Sequence, residues 1–159
     1  MLTPIIILLL LSLPLFVAFV YTRINNNKLD VKKFASWGLG IAFIFFFIGH
    51  IVRAQGMTEM LPTWVPFRLA LIYITGLLEL LIGIALFVPR YQSIATKLAI
   101  IVFIVFFPAN IYSALNYIGL GGHQWGPVYL IIRGPLQLVL IGWAYFLCLE
   151  GNIKAFKRN

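Results

Sequence analysis

The chain alternates between long apolar runs and short polar segments. Five runs carry almost no charged side chains, and each is close to the roughly twenty residues that a helix needs to cross the bilayer core. The pattern predicts five transmembrane helices, over residues 2–22, 34–52, 69–88, 98–118 and 128–149. The first run has no basic residue before it and no small-residue cleavage site, so we expect a retained helix and not a signal peptide.

Composition supports this interpretation. Of the 159 residues, 62% are hydrophobic and 10% are charged, and the mean hydropathy is +1.02, which lies outside the range of soluble globular domains. The connections between the runs are short, so little of the chain remains for a soluble domain. The sequence predicts an all-α membrane protein, a single up-and-down helical bundle whose main partner is the lipid bilayer.

Basic residues are distributed unevenly between the two sides of this bundle, and basic residues in short loops are retained in the cytoplasm. The N-terminus is then outside and the C-terminus inside, in the inner (cytoplasmic) membrane. Anionic lipids are a sufficient partner for the net charge of +8, so we predict no nucleic-acid partner. Nine of the twelve basic residues lie on the inner side, namely Arg23, Lys28, Lys32, Lys33, Arg90, Lys97, Lys154, Lys157 and Arg158, and three on the outer side, namely Arg53, Arg68 and Arg133.

A single acid, Glu79, interrupts the third run near the bilayer midplane, roughly 16 Å along the helix from Arg68. A carboxyl group at this depth costs about 2.5 to 3.5 kcal/mol, so it must face the protein, be protonated or be paired. Thr75, Gly76 and Gly83 share its helix face. A small, polar face of this kind permits a neighbouring helix to approach closely.

Other polar residues lie in the outer halves of the second, fourth and fifth runs. His50 and Arg53 are three residues apart at the rim, and Arg133 and Gln137 are one turn apart on the fifth helix. Asn110 follows Pro108, where a proline within a helix predicts a kink. These residues have alternative interpretations as interfacial groups and as hydrogen-bonding contacts between helices.

We expect these side chains to converge on Glu79 in one polar column. Each ionisable group facing lipid would cost several kcal/mol, so Glu79 and Arg133 are expected in direct or water-bridged contact. Asn110 and Gln137 are expected to complete the network.

Cysteine and histidine are scarce. The lone Cys148 excludes an internal disulfide and an all-cysteine metal site, and apolar packing is its expected role. The only histidines are His50 and His123, and the second falls in a Gly-Gly-His loop, so a haem held by both is not expected. We predict no metal site, and the sequence names no cofactor.

The outer segment 54–67 mixes methionine, tryptophan and two prolines. Trp64 is typical of the headgroup level, so we expect this segment to lie along the membrane interface, near Trp125. A lid over the mouth of the bundle is the alternative.

Several short motifs, in this order, resemble those of the DoxX-like family of small bacterial membrane proteins. The resemblance covers about residues 34–149, with departures at Ile51, at Tyr91 and Gln92, and at Gly134. The motifs are Gly49-His50, Met60-x-Pro62-x-Trp64-x-Pro66, Thr75-Gly76-x-x-Glu79-x-x-x-Gly83, Pro89-Arg90, Phe107-Pro108-Ala109-Asn110-Ile111-Tyr112, Arg133-x-Pro135-Leu136-Gln137 and Trp143-Ala144.

The resemblance implies a four-helix transmembrane bundle over residues 34–149, with one extra N-terminal transmembrane helix and linker over 1–33 and a basic cytoplasmic tail over 150–159. Family members are associated with oxidoreductase systems, among them a subunit linked to thiosulfate oxidation with quinone as acceptor. The resemblance also favours one site that contains Glu79, Asn110, Arg133 and Gln137, because the family motifs fall on those residues. The candidate ligand-binding residues or polar network are His50, Arg53, Glu79, Asn110, Tyr112, Arg133 and Gln137.

Two functions follow as expectations. The first is a redox-associated subunit that binds a quinone or similar small lipophilic molecule in the outer half of the bundle and receives electrons from a redox partner protein. The second is a non-enzymatic ligand-binding or assembly module, chaperone-like, whose buried polar network is structural. Whether the protein is an enzyme stays open, as does its oligomeric state, with a homo-oligomer among the alternatives.

Overall fold

The computed structural model describes residues 2–118 and 123–150, and of residues 123 and 124 only the backbone. Within this part the chain is helical and contains no strand. A 3-10 segment, His123–Tyr129, precedes the last α-helix, and a π-helical segment, Trp143–Leu149, continues it. The α-helices are α1 (Leu2–Ile24), α2 (Val31–Val52), α3 (Ala54–Glu59), α4 (Arg68–Phe87), α5 (Gln92–Leu115) and α6 (Leu130–Gly142).

Five helical stretches are long and apolar enough to cross a membrane, which confirms the five predicted spans. They are α1, α2, α4, α5 and the stretch Trp125–Leu149, which includes α6 and the π-helical segment. Residues 151–159 make up all but the first position of the expected basic tail, and residues 119–122 belong to the loop after α5. Both lie outside the described residues.

Helix boundaries follow local chemistry. Asp30 caps α2, because its carboxylate accepts a hydrogen bond of 3.0 Å from the Lys33 backbone N–H. Helix α5 begins at Gln92, six residues before the apolar run. The buried Gln92 side chain donates to the Leu86 carbonyl at the end of α4, 3.1 Å away, and so fixes the turn between the two helices. Helix α5 continues through Pro108, and the kink expected there stays a prediction.

Helix α2 is central, packing against α1, α4 and the π-helical segment. Helices α2 and α4 approach closely where two glycines meet, since a Cβ added to Gly40 would lie 3.0 Å from the Gly83 carbonyl oxygen. Such contacts between small residues hold membrane helices together by van der Waals packing.

The aromatic residues of α2 reach α5 across the interior. The fully buried Phe43 ring lies 5.2 Å from the Phe103 ring and 5.7 Å from the Phe46 ring, between centroids. Helix α5 also packs against α4 and the π-helical segment. At the other end of α2, the Trp143 indole donates to the Ala35 carbonyl at 3.1 Å.

Helix α1 lies at the periphery and packs mainly against α2. Its buried residues are Pro4, Ile7, Leu11 and Ala18, and the rest of its surface is largely apolar and exposed, as expected of a helix that faces lipid.

The segment between α2 and α4 forms the short α3 and a series of turns. It packs against α4 and α2, while Trp64 is 81% and Phe67 is 84% exposed. Phe67 has the left-handed backbone conformation immediately before α4 begins. Trp125 is also exposed. The interfacial position of this segment stays a prediction.

Candidate functional site

The centre of the candidate site is a contact between α4 and α2. Glu79 is 4% exposed and His50 is 8% exposed, and the Glu79 Oε2 atom lies 3.0 Å from the His50 Nδ1 atom. Both residues belong to apolar helices of membrane-spanning length. The acid is therefore directed into the protein and against an ionisable partner, as its cost in lipid requires.

The same imidazole nitrogen has a second oxygen neighbour. The Phe46 carbonyl oxygen, one turn earlier in α2, lies 3.1 Å from His50 Nδ1. The Glu79 Oε2 atom contacts Nδ1 at ion-pair distance, but no described residue forms a hydrogen bond of good geometry with this oxygen. Oε2 therefore keeps the capacity to accept a hydrogen bond from another group.

Gly76 provides the space for the histidine. A Cβ added to Gly76 would lie 2.7 Å from the His50 Cβ atom and 3.1 Å from its Cγ atom, closer than side chains pack. Gly76 lies one turn before Glu79 on the same helix face. A residue without a side chain at position 76 thus lets the imidazole pack directly on α4 beside the acid.

Arg133 contributes a positive charge from α6. Its Nε atom is buried and has no hydrogen-bond partner among the described residues. No Arg133 nitrogen lies within ion-pair distance of a Glu79 oxygen in the part of the chain described here. Electrostatic attraction still acts between the two side chains. The direct contact expected between Glu79 and Arg133 does not form, because α4 packs closely against α2 whereas α6 packs against α5. The water-bridged alternative stays a prediction.

The two amides expected in this network bind main-chain carbonyl groups. Asn110 donates to the Phe106 carbonyl at 2.9 Å, and Gln137 donates to the Phe103 carbonyl at 2.5 Å. The first bond lies within α5, and the second joins α6 to α5. Both amides are buried, and these bonds satisfy part of their hydrogen-bonding capacity.

The remaining two predicted residues lie apart from the contact between Glu79 and His50. Arg53 is exposed and ends α2, and Tyr112 is half-buried in α5. The Tyr112 carbonyl, and not its side chain, accepts a hydrogen bond from Asn116. Of the seven predicted residues, the structure therefore brings His50 and Glu79 into direct contact. Arg133 acts on Glu79 by electrostatic attraction at longer range.

Two surface depressions flank α3. One is lined by Arg53 and Tyr73 among others, and the other by Thr63, Phe67 and Arg68 among others. His50, Glu79 and Arg133 line neither of them. Among the described residues, no group of three or more His, Cys, Asp and Glu side chains is arranged to hold a metal ion. The side chain of His123 lies outside the described part.

The sequence did not reveal two features of this site, the Phe46 carbonyl beside the imidazole and the fit of His50 over Gly76. The second left a signal, because Gly76 precedes Glu79 by one turn on its face. A glycine one turn before a buried acid shows that another helix can approach closely, but it does not identify the residue that packs there.

No curated protein and no solved structure is significantly similar to this chain. One family model matches residues 39–148, described as a domain of unknown function, DUF8561. The matched range contains all seven predicted site residues, from His50 to Gln137. With most of its length covered by that match, the chain belongs to the DUF8561 family.

Proposed function

We propose that this protein is a redox-associated membrane subunit that binds a quinone or a similar small lipophilic molecule. The ligand lies between α2, α4 and α6, beside His50, Glu79 and Arg133. The protein crosses the inner (cytoplasmic) membrane with its N-terminus outside, so that α3 and the site are in its outer half. Helices α2, α4, α5 and α6 with the π-helical segment form a four-helix bundle, to which α1 is added.

The observation that carries this proposal is a pair of buried groups of opposite charge with unused hydrogen-bonding positions. Glu79 Oε2 can accept a hydrogen bond and Arg133 Nε can donate one, and neither has a hydrogen-bond partner among the described residues. A buried hydrogen-bonding atom without a hydrogen-bond partner costs about 1 to 3 kcal/mol, and more when its group is charged. A ligand that both donates and accepts would relieve this cost at both positions.

A quinone and its reduced form meet both requirements. A ring carbonyl accepts a hydrogen bond from a guanidinium, and a hydroquinone hydroxyl donates one to a carboxylate. The tail of such a molecule is apolar, and the exposed surfaces of α4 and α6 carry large apolar side chains such as Leu77, Leu81 and Leu138. The surrounding lipid would accommodate such a tail.

The redox association is supported by the resemblance of the motifs around Glu79, Asn110 and Arg133 to the DoxX-like family. With two histidines and one cysteine in the sequence, we propose that the electrons come from a partner protein. The orientation is supported by the excess of basic residues on one side of the predicted bundle.

A structural role is the second candidate, and a specific observation favours it for part of the network. Asn110 and Gln137 donate to main-chain carbonyls of α5, as expected of residues that fix helix packing. In a non-enzymatic assembly module, the contact between Glu79 and His50 would serve the same purpose.

A binding experiment separates the two candidates. Wild-type protein in lipid nanodiscs is titrated with a short-chain benzoquinone, and lipophilic molecules that purify with the protein are extracted and identified by mass spectrometry. Arg133→Gln removes the charged donor. Arg90→Gln is the matched control, since Arg90 is exposed and lies in the turn after α4. A hydrogen bond to a charged group contributes about 1.5 to 3 kcal/mol, so Arg133→Gln should weaken binding roughly 10- to 100-fold.

The proposed function requires that Arg90→Gln bind the benzoquinone as the wild type does. Absence of binding to the wild type, together with absence of any co-purifying lipophile, would reject ligand binding and leave the structural role. Equal affinities of the wild type and Arg133→Gln would reject Arg133 as the donor.

A further inference from the structure

The position of the hydrogen atom on His50 can be derived from its two oxygen neighbours. Nδ1 lies 3.1 Å from the Phe46 carbonyl oxygen and 3.0 Å from Glu79 Oε2. A carbonyl oxygen can accept a hydrogen bond but cannot donate one. If Nδ1 carried no hydrogen, its lone pair would face the lone pairs of the Phe46 oxygen at contact distance. Hydrogen on Nδ1 removes this repulsion and adds attraction to both oxygens.

The ring is also held in place. Its Cβ and Cγ atoms pack over Gly76 of α4, and Nδ1 is occupied by the Phe46 and Glu79 oxygens. Rotation that exchanges the two ring nitrogens would break both contacts. Nε2 is therefore the nitrogen that remains for a further partner.

We infer that Glu79 and the Phe46 carbonyl hold neutral His50 as the tautomer with hydrogen on Nδ1, so that Nε2 is the proton-accepting atom of the candidate site. Glu79 acts through His50 and is a positioning residue. This is the general arrangement in which a carboxylate on one imidazole nitrogen orients the ring and stabilises the imidazolium that forms when the other nitrogen accepts a proton. Its role toward a ligand rests on the proposed function.

A hydroquinone hydroxyl gives its proton to Nε2, so the O–H bond breaks, an N–H bond forms and the electron pair stays on the ligand oxygen. The ring becomes an imidazolium whose charge is balanced by the Glu79 carboxylate in contact with Nδ1. The ligand oxygen becomes an anion, which the Arg133 guanidinium attracts. When the partner protein reduces the quinone, the same step runs in reverse: the Nε2–H bond breaks and the reduced ligand oxygen takes the proton. Among the described residues, the charged group in contact with the ring is Glu79 of α4, and Arg133 acts on Glu79 from α6.

Nitrogen NMR tests the tautomer directly. Protein labelled with ¹⁵N-histidine is reconstituted in nanodiscs at mildly alkaline pH, where neutral imidazole is observed. His123→Ala leaves His50 as the sole labelled residue. We expect one protonated nitrogen, assigned to Nδ1 by its couplings to the ring carbons, and an unprotonated Nε2. A spectrum of this protein with the hydrogen on Nε2 would overturn the inference, whatever the variants show.

A pair of substitutions tests Glu79 as the positioning residue. Glu79→Leu removes the carboxylate beside Nδ1 and should make the Nε2-protonated form detectable, because only the Phe46 carbonyl then attracts Nδ1–H. Glu79→Gln is the control and keeps a side-chain oxygen that can accept. An unchanged tautomer in Glu79→Leu would overturn the role of Glu79. A purely structural role for the pair predicts the same tautomer, and the addition of hydroquinone separates the two roles.

The ligand part of the inference has its own readout. Addition of a short-chain hydroquinone should shift the Nε2 resonance and leave that of Nδ1 much less affected. If the tautomer is as inferred but hydroquinone leaves Nε2 unchanged, the proton-accepting role fails while the tautomer stands. Failure of the proposed function is distinguished by the separate absence of benzoquinone binding.

Discussion

Glu79 of α4 is paired with His50 of α2 and not with Arg133 of α6. The carboxylate oxygen lies 3.0 Å from the imidazole Nδ1, while no Arg133 nitrogen comes within ion-pair distance of Glu79 among the described residues. The reason lies in helix packing, because α2 and α4 meet closely through their glycines and α6 packs on α5. The carboxylate of Glu79 is thus paired with a residue of the helix that packs most closely on α4, and Arg133 attracts it electrostatically at longer range.

This geometry predicts unequal energetic coupling. In a double-mutant cycle, His50→Gln and Glu79→Gln should show a coupling free energy of about 1 to 2 kcal/mol, since the residues are in direct contact. The cycle of Arg133→Gln and Glu79→Gln should give less than about 0.5 kcal/mol, because only longer-range attraction is removed. Free energies of unfolding in detergent micelles supply both values. A larger coupling for Arg133 than for His50 would contradict the observed pairing.

Gly76 should tolerate no larger residue. Gly76→Ala places a methyl group 2.7 Å from the His50 Cβ atom, so the two helices must separate, and we expect a loss of about 1 to 3 kcal/mol of unfolding free energy. The matched control is Gly134→Ala in α6, where an added Cβ would have no neighbour within 4 Å and stability should stay the same or rise by up to about 1 kcal/mol, because alanine favours a helix over glycine. Equal effects of the two substitutions would show that helix propensity, and not the contact with His50, decides the outcome.

Gln137 should contribute to stability through the main chain of α5. Gln137→Met keeps a side chain of similar length but removes the hydrogen bond to the Phe103 carbonyl, and polar contacts of this kind contribute about 0.6 to 1.7 kcal/mol in membranes. Leu138→Met is the control, because Leu138 is 71% exposed and should change stability by less than about 0.5 kcal/mol. Equilibrium unfolding of both variants in one detergent gives the comparison. A neutral Gln137→Met would show that this bond adds no net stability.

Membrane orientation follows from the distribution of basic residues and can be tested in whole cells. In a Cys148→Ser background, single cysteines replace Thr63 in the segment before α4 and Asn26 in the linker before α2, both exposed positions. A membrane-impermeant maleimide should label Thr63→Cys from outside, and should label Asn26→Cys only after the cells are permeabilised. Labelling of Asn26→Cys alone in intact cells would reverse the topology.

Much of the architecture could be predicted from the amino-acid pattern. The five spans follow from the length and apolarity of the runs, because the bilayer sets the number of residues a helix needs. The start of α5 could not be predicted in this way. Gln92 lies between the third and fourth apolar runs, yet it begins α5, because its buried side chain donates to the Leu86 carbonyl across the turn. A bond of this kind depends on how the chain reverses direction, which composition does not record.

The same division applies to the candidate site. The sequence by itself determined that Glu79 must face the protein, be protonated or be paired, since a charged carboxyl group facing lipid is too costly. It also placed His50, Arg133, Asn110 and Gln137 within reach along their helices. Only the tertiary structure decided that His50 is the partner and that the two amides bind carbonyls of α5. Helical periodicity assigns each residue a depth and a face, whereas the pairing of faces depends on which helices are neighbours, and this is set by packing over the whole bundle.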